Sequence, residues 1–316
     1  MSVLYIVVPC YNEEEVLMET AKRLTIKLFQ LIESGRVDRG SRILFVDDGS
    51  KDKTWELITE LHNAGELIYG AKLAKNRGHQ NALLCGLMIA KEFCDCAISI
   101  DADLQDDIEV MDKFVDAYLD GCDIVYGVRS SRKTDSFFKR TTAQGFYKFM
   151  SIMGVDVVYN HADYRLMSRR ALEALAEYKE VNLFLRGIAA DMGFKTASVE
   201  YQRGERFAGE SKYPLKKMIS FAVDGITSFS IKPIKIISNL GIVISVLSVF
   251  GLLYALISKL FFTASTASGW TAIVASIWLI GGIQLFCLGV IGEYVGKIYK
   301  ETKARPKYII DKLLTK

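Results

Sequence analysis

The chain has 316 residues, half of them hydrophobic, and a mean hydropathy of +0.19, which excludes an intrinsically disordered protein. Its 40 Lys and Arg residues nearly balance 37 Asp and Glu residues, and the net charge of +3 disfavours a nucleic-acid-binding protein. Six dispersed cysteines without a CxxC pair disfavour a zinc site or a disulfide framework. Buried free thiols in a reducing compartment are the better interpretation.

Strands and helices are predicted to alternate along the first 130 residues. Short apolar runs that end at turn residues predict strands at 3–8, 42–46, 67–73, 96–100 and 123–126. Helical periodicity lies between them, at 13–31, 53–63 and 80–93. This order predicts an α/β fold with a doubly wound, Rossmann-like, nucleotide-binding sheet.

Polar side chains follow each predicted strand. They are Tyr11, Asn12 and Glu13; Asp47 and Asp48; Asn76 and Arg77; Asp101, Asp103 and Gln105; and Arg129. Because ligands of such sheets bind beyond the carboxyl ends of the strands, we predict one site built from five loops. The sequence has no GxGxxG after the first strand and no GxxxxGK[ST], which disfavours a dinucleotide dehydrogenase and a P-loop ATPase.

The segment DADLQD (101–106) follows an apolar strand and places two carboxylates at positions i and i+2. Such a pair can share Mg²⁺ or Mn²⁺ with phosphate oxygens, and the cation then neutralises a departing diphosphate. An acidic turn alone is more often a solvated loop, but the preceding buried strand and the neighbouring loops favour the metal. The three histidines have no partners at metal-ligand spacing.

Two segments, 236–258 and 270–292, contain no charged residue. Each would form a helix about 34 Å long, enough to cross a bilayer core, and buried core helices rarely run uncharged for this length. We predict transmembrane helices at 234–262 and 270–292. Residues 214–233 mix lysines with apolar residues and predict an amphipathic helix on the membrane surface, with a soluble surface helix as the alternative.

Basic residues flank the two segments on their outer sides: Lys216, Lys217, Lys232, Lys235, Lys297, Lys300, Lys303, Arg305 and Lys307. The positive-inside rule therefore predicts a multi-pass protein of the plasma membrane with both termini in the cytoplasm. A catalytic domain at 1–213 and a basic tail at 293–316 would both face the cytoplasm. Glycines in the spans allow close helix packing within or between chains, so a homo-oligomer stays open.

Four motifs resemble the inverting glycosyltransferase family 2, which has the GT-A fold. They are PCYNE (9–13), VDDGSKD (46–52), KNRGHQNAL (75–83) and DADLQD (101–106). The segment ERFAGESKY (205–213), followed by a membrane hairpin, narrows the resemblance to polyprenyl-phosphate glycosyltransferases, a group that includes bactoprenol glucosyltransferases and dolichyl-phosphate mannose synthases. The resemblance covers essentially the whole chain and is specific for the family rather than for the sugar.

The resemblance implies roles for individual residues. The nucleotide base and ribose would contact Pro9, Tyr11, Glu13, Val46 and Asp48. The diphosphate would lie near Asp101, Ala102, Asp103, Gln105 and Arg129, with Asp101, Asp103 and Gln105 around the metal. Catalysis would involve Asp103, Asp163, Arg206 and Lys212.

The last three of these residues have alternative roles or explanations. Arg206 and Lys212 would meet the lipid phosphate or the diphosphate, although attraction to the membrane surface also explains them. Asp163 would orient the acceptor phosphate or act as a base. Positioning is favoured, because a phosphate is mostly dianionic at pH 7 and needs little deprotonation. Tyr164 replaces the Phe that is usual in the family.

By resemblance, the expected reaction moves one sugar from UDP-glucose to undecaprenyl phosphate with inversion. Other donors stay open, namely GDP-mannose, UDP-GlcNAc, UDP-galactose and a UDP-aminoarabinose derivative. A processive polysaccharide synthase is disfavoured, since the chain has LFLRG (183–187) instead of QxxRW and only one hairpin. A scaffold or flippase subunit is also disfavoured, because two uncharged spans do not readily form a polar pathway.

Overall fold

The computed structural model describes residues 1–130, 153, 161–181, 185–202, 204, 230, 232–239, 241–244, 246, 250 and 270–315. The chain divides into two compact units, of which the first carries a mixed β-sheet and the second carries a long helix. The six cysteines lie within the described residues and form no disulfide. Five of them are buried and Cys287 is partly exposed, so the predicted buried thiols are confirmed at five positions.

The strands are β1 Leu4–Cys10, β2 Arg42–Asp47, β3 Ile68–Leu73, β4 Cys96–Ser99, β5 Ile124–Arg129, β6 His161–Ser168, β7 Thr196–Tyr201 and β8 Ile310–Leu314. The helices are α1 Leu17–Glu33, α2 Thr54–Ala64, α3 His79–Lys91, α4 Met111–Leu119, α5 Arg169–Glu177, α6 Leu185–Asp191 and α7 Trp270–Thr302, with a 3₁₀ turn at Ile108–Val110. Every strand and helix predicted in the first 130 residues is present, with ends shifted by a few residues.

The sheet has the order β7-β5-β6-β4-β1-β2-β3-β8. Strands β1 to β4 are parallel where they pair, and β7 is parallel to β5. Strand β6 is antiparallel to both β4 and β5, and β8 is antiparallel to β3. The predicted α/β, Rossmann-like fold is therefore confirmed, and the structure adds three strands that the sequence analysis did not predict.

Helices cover both faces of β1, which explains why this strand is an unbroken apolar run. Ile6 and Val8 belong to the core that α1 and α4 cover. On the other face, α3 packs closely against β1 and β2. A Cβ added at Gly86 of α3 would come within 2.4 Å of the Val7 side chain and 2.7 Å of the Val46 side chain. Each fully buried aliphatic side chain contributes roughly 1.5–3 kcal/mol, so this central strand is a rigid base for the loop that follows it.

The segment predicted as a basic tail, 293–316, contains the end of α7 and strand β8. Strand β8 pairs with β3, and the Ala74 N–H donates to the Ile309 carbonyl at 2.9 Å. The Lys307 ammonium donates to the Tyr178 carbonyl at 2.8 Å. The end of the chain thus completes the sheet of the first unit.

Helix α7 contains the segment predicted as the second span. Within the part of the chain that is described, no helix is long and apolar enough to cross a membrane. Most of the first predicted span, 234–262, and most of the predicted surface helix, 214–233, lie outside the described residues.

Candidate active site

Several hydrogen bonds join the loop after β1 to the loop after β2 and the start of α2. The Asn12 N–H donates to Ser50 Oγ and the Lys51 N–H donates to Asn12 Oδ1, each at 2.9 Å. The Glu13 N–H donates to Thr54 Oγ1 at 2.9 Å. Asn12 adopts a left-handed φ of 53°, which Asn tolerates better than most residues. The two loops therefore form one unit at the carboxyl ends of β1 and β2.

The residues predicted to contact the base and ribose lie at the carboxyl ends of these two strands. Pro9 and Val46 are buried and face each other in the parallel register of β1 and β2. Tyr11 follows β1 with an exposed side chain, and Glu13 is partly exposed in the same loop. An exposed aromatic ring beside a strand end can stack on a nucleotide base.

Asp48 joins the loop after β2 to the loop after β3. Its carboxylate accepts from the Arg77 N–H at 2.6 Å and from the Gly78 N–H at 2.8 Å. Burial raises the pKa of Asp48, while these two N–H donors oppose the rise. The side chain that the resemblance assigns to the nucleotide thus binds backbone N–H groups in this structure.

Glycine is required at position 49, in the turn after Asp48. Its φ is +67°, and an added Cβ would lie 2.7 Å from the Asn76 N atom and 2.8 Å from the Lys75 carbonyl carbon. Both obstacles are backbone atoms, which cannot move aside as a flexible side chain can. The loops after β2 and β3 therefore pack backbone against backbone.

Asp101 and Asp103 follow β4 in a loop that α1 supports. The buried Ala102 accepts, through its carbonyl, from Thr20 Oγ1 at 2.8 Å. The Gln105 N–H donates to Asp103 Oδ1 at 3.2 Å. Burial raises the pKa of Asp101. His79 opposes this rise, and the nearby carboxylates of Asp106, Asp163 and Asp103 add to it.

The donor set of this loop fits a divalent cation that is bound together with substrate. Among the described residues, no group of three or more His, Cys, Asp and Glu side chains is arranged to hold a metal ion. Mg²⁺, however, is commonly held by one or two carboxylates together with substrate phosphates and water. Asp101 and Asp103 supply two carboxylates, and a cation there would offset the repulsion between them, which adds to the effect of burial on the pKa of Asp101. Gln105 lies in the same loop and could supply an amide oxygen.

Two arginines bind the carboxylate of Asp163 on β6. Asp163 Oδ1 accepts from Arg165 Nη2 at 2.8 Å and from Arg186 Nε at 3.1 Å, and Oδ2 accepts from Arg186 Nη2 at 3.0 Å. Burial acts to raise the pKa of Asp163, but the two guanidinium groups outweigh it and hold this pKa well below its usual range. An acid this strong is a poor general base, so the geometry favours positioning, the role that the sequence analysis preferred.

His79 and Arg186 are residues of this cluster that the sequence analysis did not select. His79 begins α3, and its Nε2 lies 3.5 Å from Asp101 Oδ1 and 3.7 Å from Asp163 Oδ2. Spacing along the sequence gave no sign of this proximity. Arg186 lies in LFLRG (183–187), a segment whose sequence distinguishes the chain from processive synthases but does not point to a contact with Asp163.

Arg129 lies at the end of β5, and hydrogen bonds to two neighbouring side chains fix its guanidinium. Its Nε donates to Tyr201 Oη at 3.1 Å, and its Nη2 donates to Asp106 Oδ1 at 3.3 Å. The Tyr201 hydroxyl also donates to Asp106 Oδ1. The Arg129 side chain is partly exposed, and its contact with a phosphate stays a prediction. Arg206 and Lys212, the other predicted phosphate contacts, lie outside the described residues.

Relatives with similar sequences cover almost the whole chain. The chain is 57% identical over 309 residues to the "Uncharacterized glycosyltransferase YkoT" of Bacillus subtilis, covering 98% of this chain and 91% of that protein. It is 40% identical over 310 residues to the "Prophage bactoprenol glucosyl transferase homolog" of Escherichia coli K12, covering 98% of each. It is 39% identical over 308 residues to the "Bactoprenol glucosyl transferase" of Shigella phage SfII, covering 97% of each.

A solved structure of glucosyl-3-phosphoglycerate synthase from Mycobacterium tuberculosis, in complex with Mn²⁺, UDP-glucose and phosphoglyceric acid, aligns with a TM-score of 0.47. The two proteins are 16% identical over 72% of this chain and 78% of that chain. The profile of the family described as Glycosyl transferase family 2 matches residues 5–176. The chain therefore belongs to glycosyl transferase family 2 and is a glycosyltransferase with a GT-A-like α/β fold.

Proposed function

We propose that this protein transfers one glucosyl group from UDP-glucose to a polyprenyl phosphate such as undecaprenyl phosphate. One observation carries the proposal: the chain is 40% identical, over 98% of both lengths, to a protein named as a bactoprenol glucosyl transferase homolog. Identity over the full length includes both the cleft, which is formed by the loops after β1 to β5 together with β6 and α6, and the segments that follow it. The arrangement of charged groups in the cleft supports the same reaction.

The donor would occupy the loops after β1, β2 and β3. Tyr11 would stack on the base, and the loops that Asp48 and Asn12 fasten together would bind the ribose and the diphosphate. Asp101 and Asp103, with Gln105, would hold Mg²⁺ or Mn²⁺, and such a cation would neutralise the charge of the departing diphosphate. Arg129 would add a guanidinium against the phosphates.

The acceptor phosphate would attack the anomeric carbon in line with the departing diphosphate. This attack inverts the anomeric centre and converts an α-linked donor into a β-linked lipid phosphosugar. The phosphate is mostly dianionic at pH 7, so it requires no general base. The ion pairs that occupy the Asp163 carboxylate agree with such a mechanism.

We also propose that 236–258 and 270–292 anchor the protein in the plasma membrane, with the catalytic domain and both termini in the cytoplasm. The absence of charge in both segments and the lysines and arginines on their outer sides support this location. Large apolar side chains of α7 are exposed, among them Ile277, Leu285 and Phe286. Membrane attachment would raise the effective concentration of the lipid acceptor.

The reaction is tested with the purified full-length protein, undecaprenyl phosphate and a panel of UDP-glucose, UDP-galactose, UDP-GlcNAc and GDP-mannose. We expect one lipid product, a polyprenyl-phosphate hexose formed with UDP-glucose and identified by its mass. A product with another donor would correct the sugar and keep the reaction class. Absence of a lipid product with every donor would contradict the proposal and favour a non-catalytic scaffold or flippase subunit.

A further inference from the structure

We propose that Arg186 contacts the phosphate of the lipid acceptor, and that Asp163 is a positioning residue that fixes the Arg186 guanidinium. This inference rests on the proposed function, because it requires an acceptor that carries a phosphate.

The two arginines around Asp163 differ in their exposure. The Arg165 side chain is 2% exposed, and besides its bond to Asp163 it donates from Nη1 to the Leu185 carbonyl at 3.0 Å. This bond ties β6 to the start of α6. The Arg186 side chain is 27% exposed, and Asp163 binds its Nε and Nη2 through both carboxylate oxygens. Arg165 is therefore the buried support, and Arg186 is the arginine that a ligand can reach.

The sheet order places Arg186 on the acceptor side of the cleft. Strand β6 lies beside β4, and Ser99 faces Arg165 in the register. Asp163 therefore lies beside the residues that follow β4, and His79 Nε2 is within 3.7 Å of both Asp101 and Asp163. Strands β1, β2 and β3, which carry the loops for the base and ribose of the donor, lie on the opposite side of β4. A donor bound there leaves the side of β6 and α6 for the acceptor.

Charge decides which side chain meets the acceptor. The Asp163 carboxylate would repel a dianionic phosphate at contact distance, and the carboxylates of Asp101 and Asp103 are assigned to the cation. A guanidinium has planar N–H donors that match phosphate oxygens. The Asp163 carboxylate is also already engaged by two arginines. The phosphate therefore meets Arg186, and Asp163 acts through it.

The test uses the full-length protein in detergent with UDP-glucose and undecaprenyl phosphate, and measures KM for each substrate and kcat separately. Variants are Arg186→Lys, Arg186→Met, Asp163→Asn and the double variant Asp163→Asn/Arg186→Met. We expect Arg186→Lys to raise the acceptor KM about tenfold, equivalent to about 1.4 kcal/mol, with an unchanged donor KM. Arg186→Met should raise the acceptor KM further. The double variant should be no worse than Arg186→Met alone, because Asp163 acts through Arg186.

The matched control is Arg170→Lys, which alters another arginine–aspartate pair. Arg170 binds Asp123 just before β5, at the amino-terminal ends of β4 and β5 and therefore away from the cleft. This variant should keep both KM values. An unchanged acceptor KM in both Arg186 variants, an equal rise in the donor KM, or additive effects in the double variant would each overturn the inference. A wild-type protein that forms no glucolipid would instead defeat the proposed function, and the inference with it.

Discussion

The proposed donor side of the cleft, formed by the loops after β1, β2 and β3, and the proposed acceptor side, formed by β6 and α6, are held by different kinds of interaction. On the donor side, loops are joined by hydrogen bonds between side chains and backbone N–H groups, as between Asp48 and Arg77 and Gly78. On the acceptor side, Asp163 is held by ion pairs with Arg165 and Arg186. Burial raises the pKa of Asp48 against the opposing effect of its N–H donors, whereas the two guanidinium groups outweigh burial and lower the pKa of Asp163. The donor side thus depends on backbone geometry, and the acceptor side depends on charge.

The largest effect is expected between the two sides, at the loop after β4. Replacing Asp101 and Asp103 together by Asn should lower turnover by about 10³-fold or more, because charge stabilisation of the leaving group is lost. Turnover of labelled UDP-glucose measures this loss. Asp107→Asn is the matched control in the same loop, since Asp107 accepts from the Glu109 N–H at 3.0 Å and Asn caps equally well. Turnover by the double variant at the rate of the control would refute the role of the two carboxylates.

Asn substitutions at Asp163 and Asp48 should affect stability and substrate KM values differently on the two sides of the cleft. Asp163→Asn leaves the buried Arg165 poorly compensated and should cost about 3 kcal/mol of stability. Asp48→Asn loses one acceptor for a backbone N–H and should cost about 2 kcal/mol. Chemical denaturation measures both losses. Kinetically, Asp163→Asn should raise the acceptor KM and Asp48→Asn the donor KM, and the opposite pattern would invert our assignment of the two sides.

A single methyl group should distort the donor side. Gly49→Ala adds a Cβ that meets backbone at 2.7 Å and also forces a left-handed φ, with an expected cost of about 3 kcal/mol. Gly193, between α6 and β7, also has a left-handed φ, of +66°, but an added Cβ would have no atom within 4 Å. Gly193→Ala should therefore cost only about 1 kcal/mol. Thermal unfolding of the two variants compares them. Equal losses would mean that the loops after β2 and β3 are not packed closely.

The pH dependence should differ in sign between the two sides. The pKa of Asp163 is lowered, so its contribution to stability is present at neutral pH and is lost only as pH falls below its ordinary value of 3.8. The pKa of Asp48 is raised, so the wild type gains stability relative to Asp48→Asn as pH falls from neutral toward 3.8. Denaturation of wild type and both Asn variants between pH 7 and about pH 3.5 measures this. Parallel curves for all three proteins would contradict it.

The donor side could largely be predicted from the sequence, because its signals are local. Apolar runs mark β1 to β4, and the polar residues after each strand mark the edge where a ligand binds. The role of Asp48 was not visible in this way. A carboxylate at a strand end has the same sequence pattern whether it binds a ligand or the N–H groups of a neighbouring loop.

On the acceptor side the resemblance pointed to Asp163, but its partners could not be predicted, because they depend on contacts between distant residues. Asp163 and Arg186 are 23 residues apart and meet through the pairing of β6 with β4 and the position of α6. Strand β7 alternates exposed and partly exposed residues before the buried Tyr201, and β8 contains Asp311 and Lys312, so neither has the apolar run that marks a buried strand. Arg165 is fully buried although it is charged, which composition and periodicity do not reveal.

The anomeric configuration of the lipid product tests the central claim most directly. The purified protein would convert UDP-glucose, whose glucose is α-linked, in the presence of undecaprenyl phosphate, and NMR of the isolated glucolipid would assign the linkage. We predict a β-linked glucosyl phosphate, because the acceptor phosphate attacks from the side of Asp163 and Arg186, opposite the diphosphate. An α-linked product, or glucose released without forming a lipid, would contradict this account.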